Sequence, residues 1–274
     1  MRRSEYLGNL FPAALLVDEE TRESRVLWNG DFEILGAAIG CSSFCNDLAE
    51  EKVNKASKLL NEIAKLEDPQ VASRLLRNCA GVCKITHCMR TTPSHLHQDA
   101  LRQFDKTVQS TFSASTCLAP DEAQWAQTCR GFKQAGLGFR SAVLHGEAAF
   151  LASLCASRDK CRELLPAFTL NADAEGSEFA TNLAAYNAKL PADKRYTPQD
   201  ILGCRQQSLS HTLDEAGHEK RLAEVCMTDQ ATLRSECEPG AKDFFQVVPS
   251  KSLGFAVPAA EFIVEVRYRL CMTD

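Results

Sequence analysis

The sequence predicts a mainly α fold: a helical bundle with a small β-hairpin near its N-terminus. Three observations carry this. Apolar residues recur at spacings of three and four in one segment after another. Helix-start residues such as Asp68-Pro69, Ser141 and Thr197-Pro198 stand ahead of those segments. Short strand-like runs set off by glycine are concentrated before residue 41.

In chain order, Val26-Leu27-Trp28 and Phe32-Glu33-Ile34-Leu35 flank Asn29-Gly30-Asp31, and Asn-Gly between two such runs predicts a hairpin turn. Gly36 and Gly40 bracket Ala37, Ala38 and Ile39 and let the backbone come close to another element. Asn46 to Leu66 reads as a helix whose apolar stripe is Val53, Ala56, Leu60, Ile63 and Ala64, with lysines and glutamates on the wet side.

Asp68 to Pro93 reads as the helix around which the chain is organised. Asp68 can cap it, and Pro69 fits a first turn that needs no N–H. Pro93 ends it, with Thr91 and Thr92 extended before it. On a wheel of about 100° per residue, Val71, Leu75, Cys79, Val82, Thr86 and Met89 share a broad side, with Ala72, Leu76 and Cys83 at its edge. Arg74, Arg77 and Lys84 fall together on the opposite side. Gly81 at mid-helix costs about 1 kcal/mol against Ala and predicts a bend or a close contact.

Leu101, Phe104, Val108 and Phe112 mark a third helix from His97 to Ser113, and short loops favour antiparallel packing of the three. A short helix, Asp121 to Cys129, carries Trp125, and Gly136-Leu137-Gly138 predicts a tight loop before Ser141, the cap of a helix from Ala142 to Ser157. Thr169 to Ser177 is small and polar, the best boundary in the chain. Beyond it, helices are predicted over Glu178 to Leu190, from Thr197 through Leu213, over Glu219 to Met227 and Asp229 to Cys237, and from Pro258 through Leu270. Phe244, Phe245, Val247 and Val248 read as buried.

A net charge of -5 over 274 residues excludes a general polyanion binder, but the charge is uneven. Arg74 to Lys106 holds six basic and two acidic residues, whereas Asn171 to Asp274 holds eleven and sixteen. No apolar run long enough for a secretory leader follows Met1-Arg2-Arg3, and none is long enough to span a membrane. Thirteen cysteines, an odd number, then read as reduced intracellular thiols, most of them small buried hydrophobes. Cys79, Cys83 and His87 stand one turn apart on one helix edge; soft ligands of this kind bind zinc, but successive turns of a straight helix do not close a tetrahedron, so the reading is structural thiols and no metal. Gly-x-Ser-x-Gly, His-Glu-x-x-His and the Walker loop are all missing.

Phe32-Glu33-Ile34-Leu35-Gly36-Ala37-Ala38-Ile39-Gly40, Lys58-Leu59-Leu60, Leu66-x-Asp68-Pro69-Gln70-Val71-Ala72, Leu75-Leu76-Arg77 and Arg90-Thr91-Thr92-Pro93 follow in that order. The series resembles the region just after the polymerase palm in non-LTR retrotransposon reverse transcriptases. Gly136 to Ser141, Ala148 to Ser153, Val248-Pro249-Ser250, Leu253-Gly254-Phe255 and Glu261 to Leu270 continue it across nearly the whole chain.

The resemblance implies that residues 1–45 end a palm and carry a primer-grip-like hairpin, that 46–168 form a thumb-like bundle, and that 169–274 form a C-terminal helical region. It places Gly36 and Gly40 at the grip, and Arg74, Arg77, Lys84 and Arg90 facing or flanking an RNA/DNA duplex held by its backbone. The family's catalytic aspartates, with their Tyr-x-Asp-Asp turn, would precede this chain, and its zinc knuckle and endonuclease-like domain would follow Leu270. The expectation is a non-catalytic, truncated copy with weak, sequence-independent duplex binding, without cofactor or small-molecule substrate, nuclear or cytoplasmic. The alternative is an α-helical protein-interaction or scaffold domain, which the acidic tail and low net charge favour.

Overall fold

The computed structural model describes residues 30–170 and 176–272, and the fold is mainly α with one small antiparallel hairpin. The Val26-Leu27-Trp28 run of the expected hairpin lies outside the described residues. The hairpin among the described residues turns at Leu35-Gly36, so that β1 (Phe32–Ile34) pairs with β2 (Ala37–Ile39) in the register Phe32 to Ile39 and Ile34 to Ala37. Both turn residues have positive φ, 50° and 81°, the backbone whose twist suits a two-residue hairpin. Asp31 closes the open end by accepting the Cys41 N–H at 2.7 Å, and a Cβ on Gly40 would lie 2.2 Å from that carboxylate.

α1 (Ser42–Ile63) buries Cys45, Ala49, Val53, Ala56, Leu60 and Ile63, close to the predicted stripe. It packs against α4 (Gln98–Thr116), whose Leu101, Phe104, Val108 and Phe112 are all buried.

The central stretch departs from a single helix. Asp68 accepts the Gln70 and Val71 N–H groups at 3.0 Å and opens α2 (Pro69–Leu75) as predicted. A five-residue π-helical turn, Leu76–Ala80, then widens the coil. Gly81 leaves helical geometry with ψ of -146°, a short 3-10 turn follows at Val82–Lys84, and α3 runs Thr86–Thr91. A Cβ on Gly81 would sit 2.7 Å from the Leu76 carbonyl oxygen, which is the close contact its position predicted. The break moves the buried stripe to Ala72, Leu76, Ala80, Ile85, Cys88 and Met89 and leaves Cys79 and Cys83 exposed.

α5 (Glu122–Thr128) starts at a capping box between Asp121 and Gln124, and α6 (Ala142–Leu164) is capped by Ser141 but runs seven residues past Ser157. α7 (Glu178–Ala188), α8 (Pro198–Ile201), α9 (Gln206–Glu224), α10 (Met227–Ser235), α11 (Asp243–Gln246) and α12 (Ala259–Arg269) follow among the described residues. α9 absorbs part of what reads as a separate helix from Glu219, and it stops where Val225 turns extended. Val248 is 60% exposed, against its predicted burial, whereas Phe245 is buried.

Two apolar clusters share α6. One joins α1, α2, α4 and Phe139 to Phe245, Phe262, Val266 and Leu270 from the C-terminal helices; the other joins Leu151 and Cys155 of α6 to α7 and α9. The small side chains Ala148, Ala149 and Ala152 let helices close on both faces of α6. Of the thirteen cysteines, only Cys45, Cys88, Cys129 and Cys155 are buried and five are exposed, so most are not the core residues expected. No helix among the described residues is long and apolar enough to cross a membrane.

Candidate nucleic-acid interface

The loop between α5 and α6 is rigid because its backbone bonds to itself. Leu137, Gly138 and Arg140 donate their N–H groups to the carbonyls of Thr128, Arg130 and Cys129 at 3.1, 2.7 and 3.0 Å. Gly136 sits so close to that strand of carbonyls that a Cβ would lie 2.1 Å from the Arg130 oxygen. The loop is anchored to α9 by Asp214, a carboxylate 1% exposed. Its Oδ2 accepts the Arg140 guanidinium at 2.7 Å and the Gly131 N–H at 3.1 Å, and its Oδ1 lies 3.4 Å from His145 Nε2. Burial opposes ionisation of Asp214, but His145, Arg140 and the Gly131 N–H outweigh it and hold the carboxyl below its usual range. Burial also pushes His145 down, so near neutral pH the charge partner of Asp214 is Arg140.

Beside this anchor lies an open cleft of about 630 Å³ into which α2, the 131–140 loop and α11 converge. Arg74, Arg77, Lys133, Arg140 and Lys242 line it, with His211 at its edge; among the described lining residues the one carboxylate is Asp214, already matched by Arg140. A protein with net charge -5 therefore concentrates cations here.

The five cations differ. Arg74 donates to the Gln246 carbonyl at 2.5 Å. Arg77 donates to the Phe245 carbonyl at 2.7 Å, reaches the Leu137 carbonyl at 3.4 Å, and stands 4.9 Å over the Phe132 ring. Burial, and then the neighbouring charge of Arg74, lower Arg77 to about 10, which leaves it protonated at neutral pH. Lys133 is exposed and Lys242 half-buried, and neither has an ion pair among the described residues.

Of the residues singled out from sequence, Arg74 and Arg77 meet in this cleft. Lys84 does not join them: the break at Gly81 turns it into a separate groove with Lys52 and Lys55 over Ala56 and Leu59. Arg90 lies in another cleft, where its Nε and Nη2 donate to Gln206 Oε1 at 2.9 and 2.7 Å. Gly36 is held at the hairpin turn, with its carbonyl accepting the Lys52 ammonium and His87 Nε2 placed 3.1 Å from the Leu35 carbonyl oxygen. Gly40 packs on Asp31.

His87 is thereby separated in role from Cys79 and Cys83, and no group of three or more metal-ligating side chains comes together among the described residues. Sequence reasoning missed Lys133, Arg140 and Lys242. Arg140 stood within the Gly136–Ser141 motif, but the two lysines carry no local signal because the cleft is assembled from four separate segments spread between Arg74 and Gln246.

No protein-family model, no curated protein and no solved structure matches this chain.

Proposed function

We propose that the chain binds RNA/DNA duplex through its phosphate backbone and catalyses nothing itself, in the manner of a reverse-transcriptase thumb. The carrying observation is the cleft in which Arg74, Arg77, Lys133, Arg140 and Lys242 face a single, already neutralised carboxylate. Guanidinium and ammonium groups without base-reading partners hold a backbone and not a sequence. The hairpin over Leu35 to Gly40, where the resemblance puts a primer grip, supports the same reading. The acidic remainder of the chain works against it, so affinity is weak, on the order of micromolar at physiological salt.

The test is a salt titration of a labelled RNA–DNA hybrid against the wild type and a Lys133→Gln/Lys242→Gln variant. Those lysines have no ion-pair partner among the described residues, so their loss leaves the fold intact. Each phosphate contact contributes a slope of about 0.9 in log K against log salt; the pair removes about 1.8, or about thirty-fold in affinity at ~0.15 M salt referred to 1 M. A variant that binds like the wild type refutes the assignment of the cleft. If the wild type binds no hybrid at low salt, the scaffold reading gains. The exposed tip of the hairpin favours that second reading, because Leu35 is 93% and Ile34 51% exposed, and such side chains contact proteins more readily than phosphates.

A further inference from the structure

A second open cleft, of about 590 Å³, lies on the other side of the start of α9. Its floor is Ala152, Ala156 and Leu202, and its two charged lining residues are Arg90 and Arg205, with no carboxylate among the described lining residues. Both arginines are exposed. Arg205 has no side-chain partner among the described residues, while Gln206 holds the Arg90 guanidinium by two of its nitrogens. The same helix start divides the two clefts: Arg205 and Gln206 line this one, and the next residues, Gln207 and Ser208, line the cleft of Arg74 and Arg77. A strand that passes over this ridge crosses the width of one helix, about 10 Å with its side chains. Successive phosphates of one strand advance about 3.4 Å along a duplex axis, so the ridge spans about three phosphate steps.

We infer that the two clefts form one continuous phosphate-binding track, in which a single strand of the duplex passes over the start of α9 and its next phosphates meet Arg205 and Arg90, with Gln206 as the positioning residue for Arg90. The inference rests on the reading of the first cleft as a phosphate site. What it adds is a second station and a path. Two stations flanking one ridge explain why Arg90, so far from Arg77 along the broken central stretch, keeps an exposed guanidinium aimed into a cleft that has no acid to neutralise.

The experiment uses the full chain, a labelled RNA–DNA hybrid of about two helical turns, and a Arg90→Gln/Arg205→Gln variant, with two readouts. In the salt titration the variant should lose about 1.8 in slope and about thirty-fold in affinity at ~0.15 M salt, as for any two phosphate contacts. In the wild type, saturating hybrid should slow iodoacetamide alkylation of Cys204, which lines the second cleft, several-fold relative to exposed Cys226, which lines neither. Arg205→Glu alone should weaken binding further than Arg205→Gln, an effect that no loss of packing produces because Arg205 is exposed and has no partner among the described residues. If the wild type binds hybrid but the double variant keeps its full slope, or Cys204 stays as reactive as before, the second station is refuted and the first cleft stands. If the wild type binds no hybrid, both fall.

Discussion

Arg77 is the residue at which the linear reading and the fold disagree most, and stability measures the difference. A helical wheel puts it on a wet face, where any substitution would shift stability by no more than about 0.5 kcal/mol. In the fold its Nη2 donates to the Phe245 carbonyl at 2.7 Å and its guanidinium lies 4.9 Å over Phe132. A hydrogen bond from a charged donor contributes about 1.5–3 kcal/mol, and a partly desolvated cation–π contact about 1 kcal/mol. The longer contact to the Leu137 carbonyl, at 3.4 Å, adds little. Against these stands the cost of burying the cation, visible in its depressed pKa. The balance for Arg77→Ala is about 2–3 kcal/mol of lost stability, which at roughly 2–4 °C per kcal/mol lowers Tm by about 4–12 °C. Arg77→Lys should recover little of it, since an ammonium keeps the charge but neither stacks flat on Phe132 nor matches the fork of donors. Urea unfolding of wild type, Ala and Lys variants, fitted with a common m, is the assay. If both variants unfold within about 0.5 kcal/mol of the wild type, Arg77 is a solvated surface cation after all.

Two more outcomes follow from buried groups. His97 is fully buried, and burial lowers it from 6.5 to about 4. The unfolded chain therefore takes up a proton between those values that the folded chain refuses; the stabilising contribution is complete above pH 6.5 and is lost as pH falls toward 4, by up to about 3 kcal/mol. Urea midpoints across that window should fall steeply for the wild type and less steeply for His97→Leu, and equal slopes would show that His97 titrates normally. Gly81→Ala should destabilise by about 1–3 kcal/mol, because its Cβ meets the Leu76 carbonyl oxygen at 2.7 Å and the backbone must shift. A straight helix gives the opposite sign, a gain of about 1 kcal/mol, so a stabilised Ala variant would contradict the break.

Much of the architecture was legible because it is local. The stripe of α1 and the Leu101–Phe104–Val108–Phe112 series of α4 are periodic over several turns, and Asp68, Asp121, Ser141 and Thr197 announce their helices with a side chain that reaches only two or three residues. The central break was half legible. Gly81 flagged it, but a wheel advances every residue by the same angle, and a π turn inserts an extra residue that rotates everything downstream. That rotation exposes Cys83, moves the buried face onto Ile85 and parts Lys84 from Arg77.

The cleft was the least legible part, for a reason that also decides which cations belong to it. Periodicity reports which face of a helix is polar, not whether a later segment will cover that face. The outer side of α2 is covered by α11, which arrives 168 residues after Arg77 and takes its best donor with the Phe245 carbonyl. Arg74 is engaged in the same way by Gln246. The basic helix face that first suggested a phosphate site is thus partly consumed in holding the C-terminal helices against the bundle. The same docking brings Lys242, just ahead of α11, into the cleft that Lys133 also lines. Folding exchanges the charges the helix spends on carbonyls for two lysines with no ion pair among the described residues. A ligand phosphate competes with nothing at those lysines, whereas at Arg74 and Arg77 it must share donors with the backbone. Lys133 and Lys242 should therefore dominate the salt slope, and the two arginines should dominate the stability.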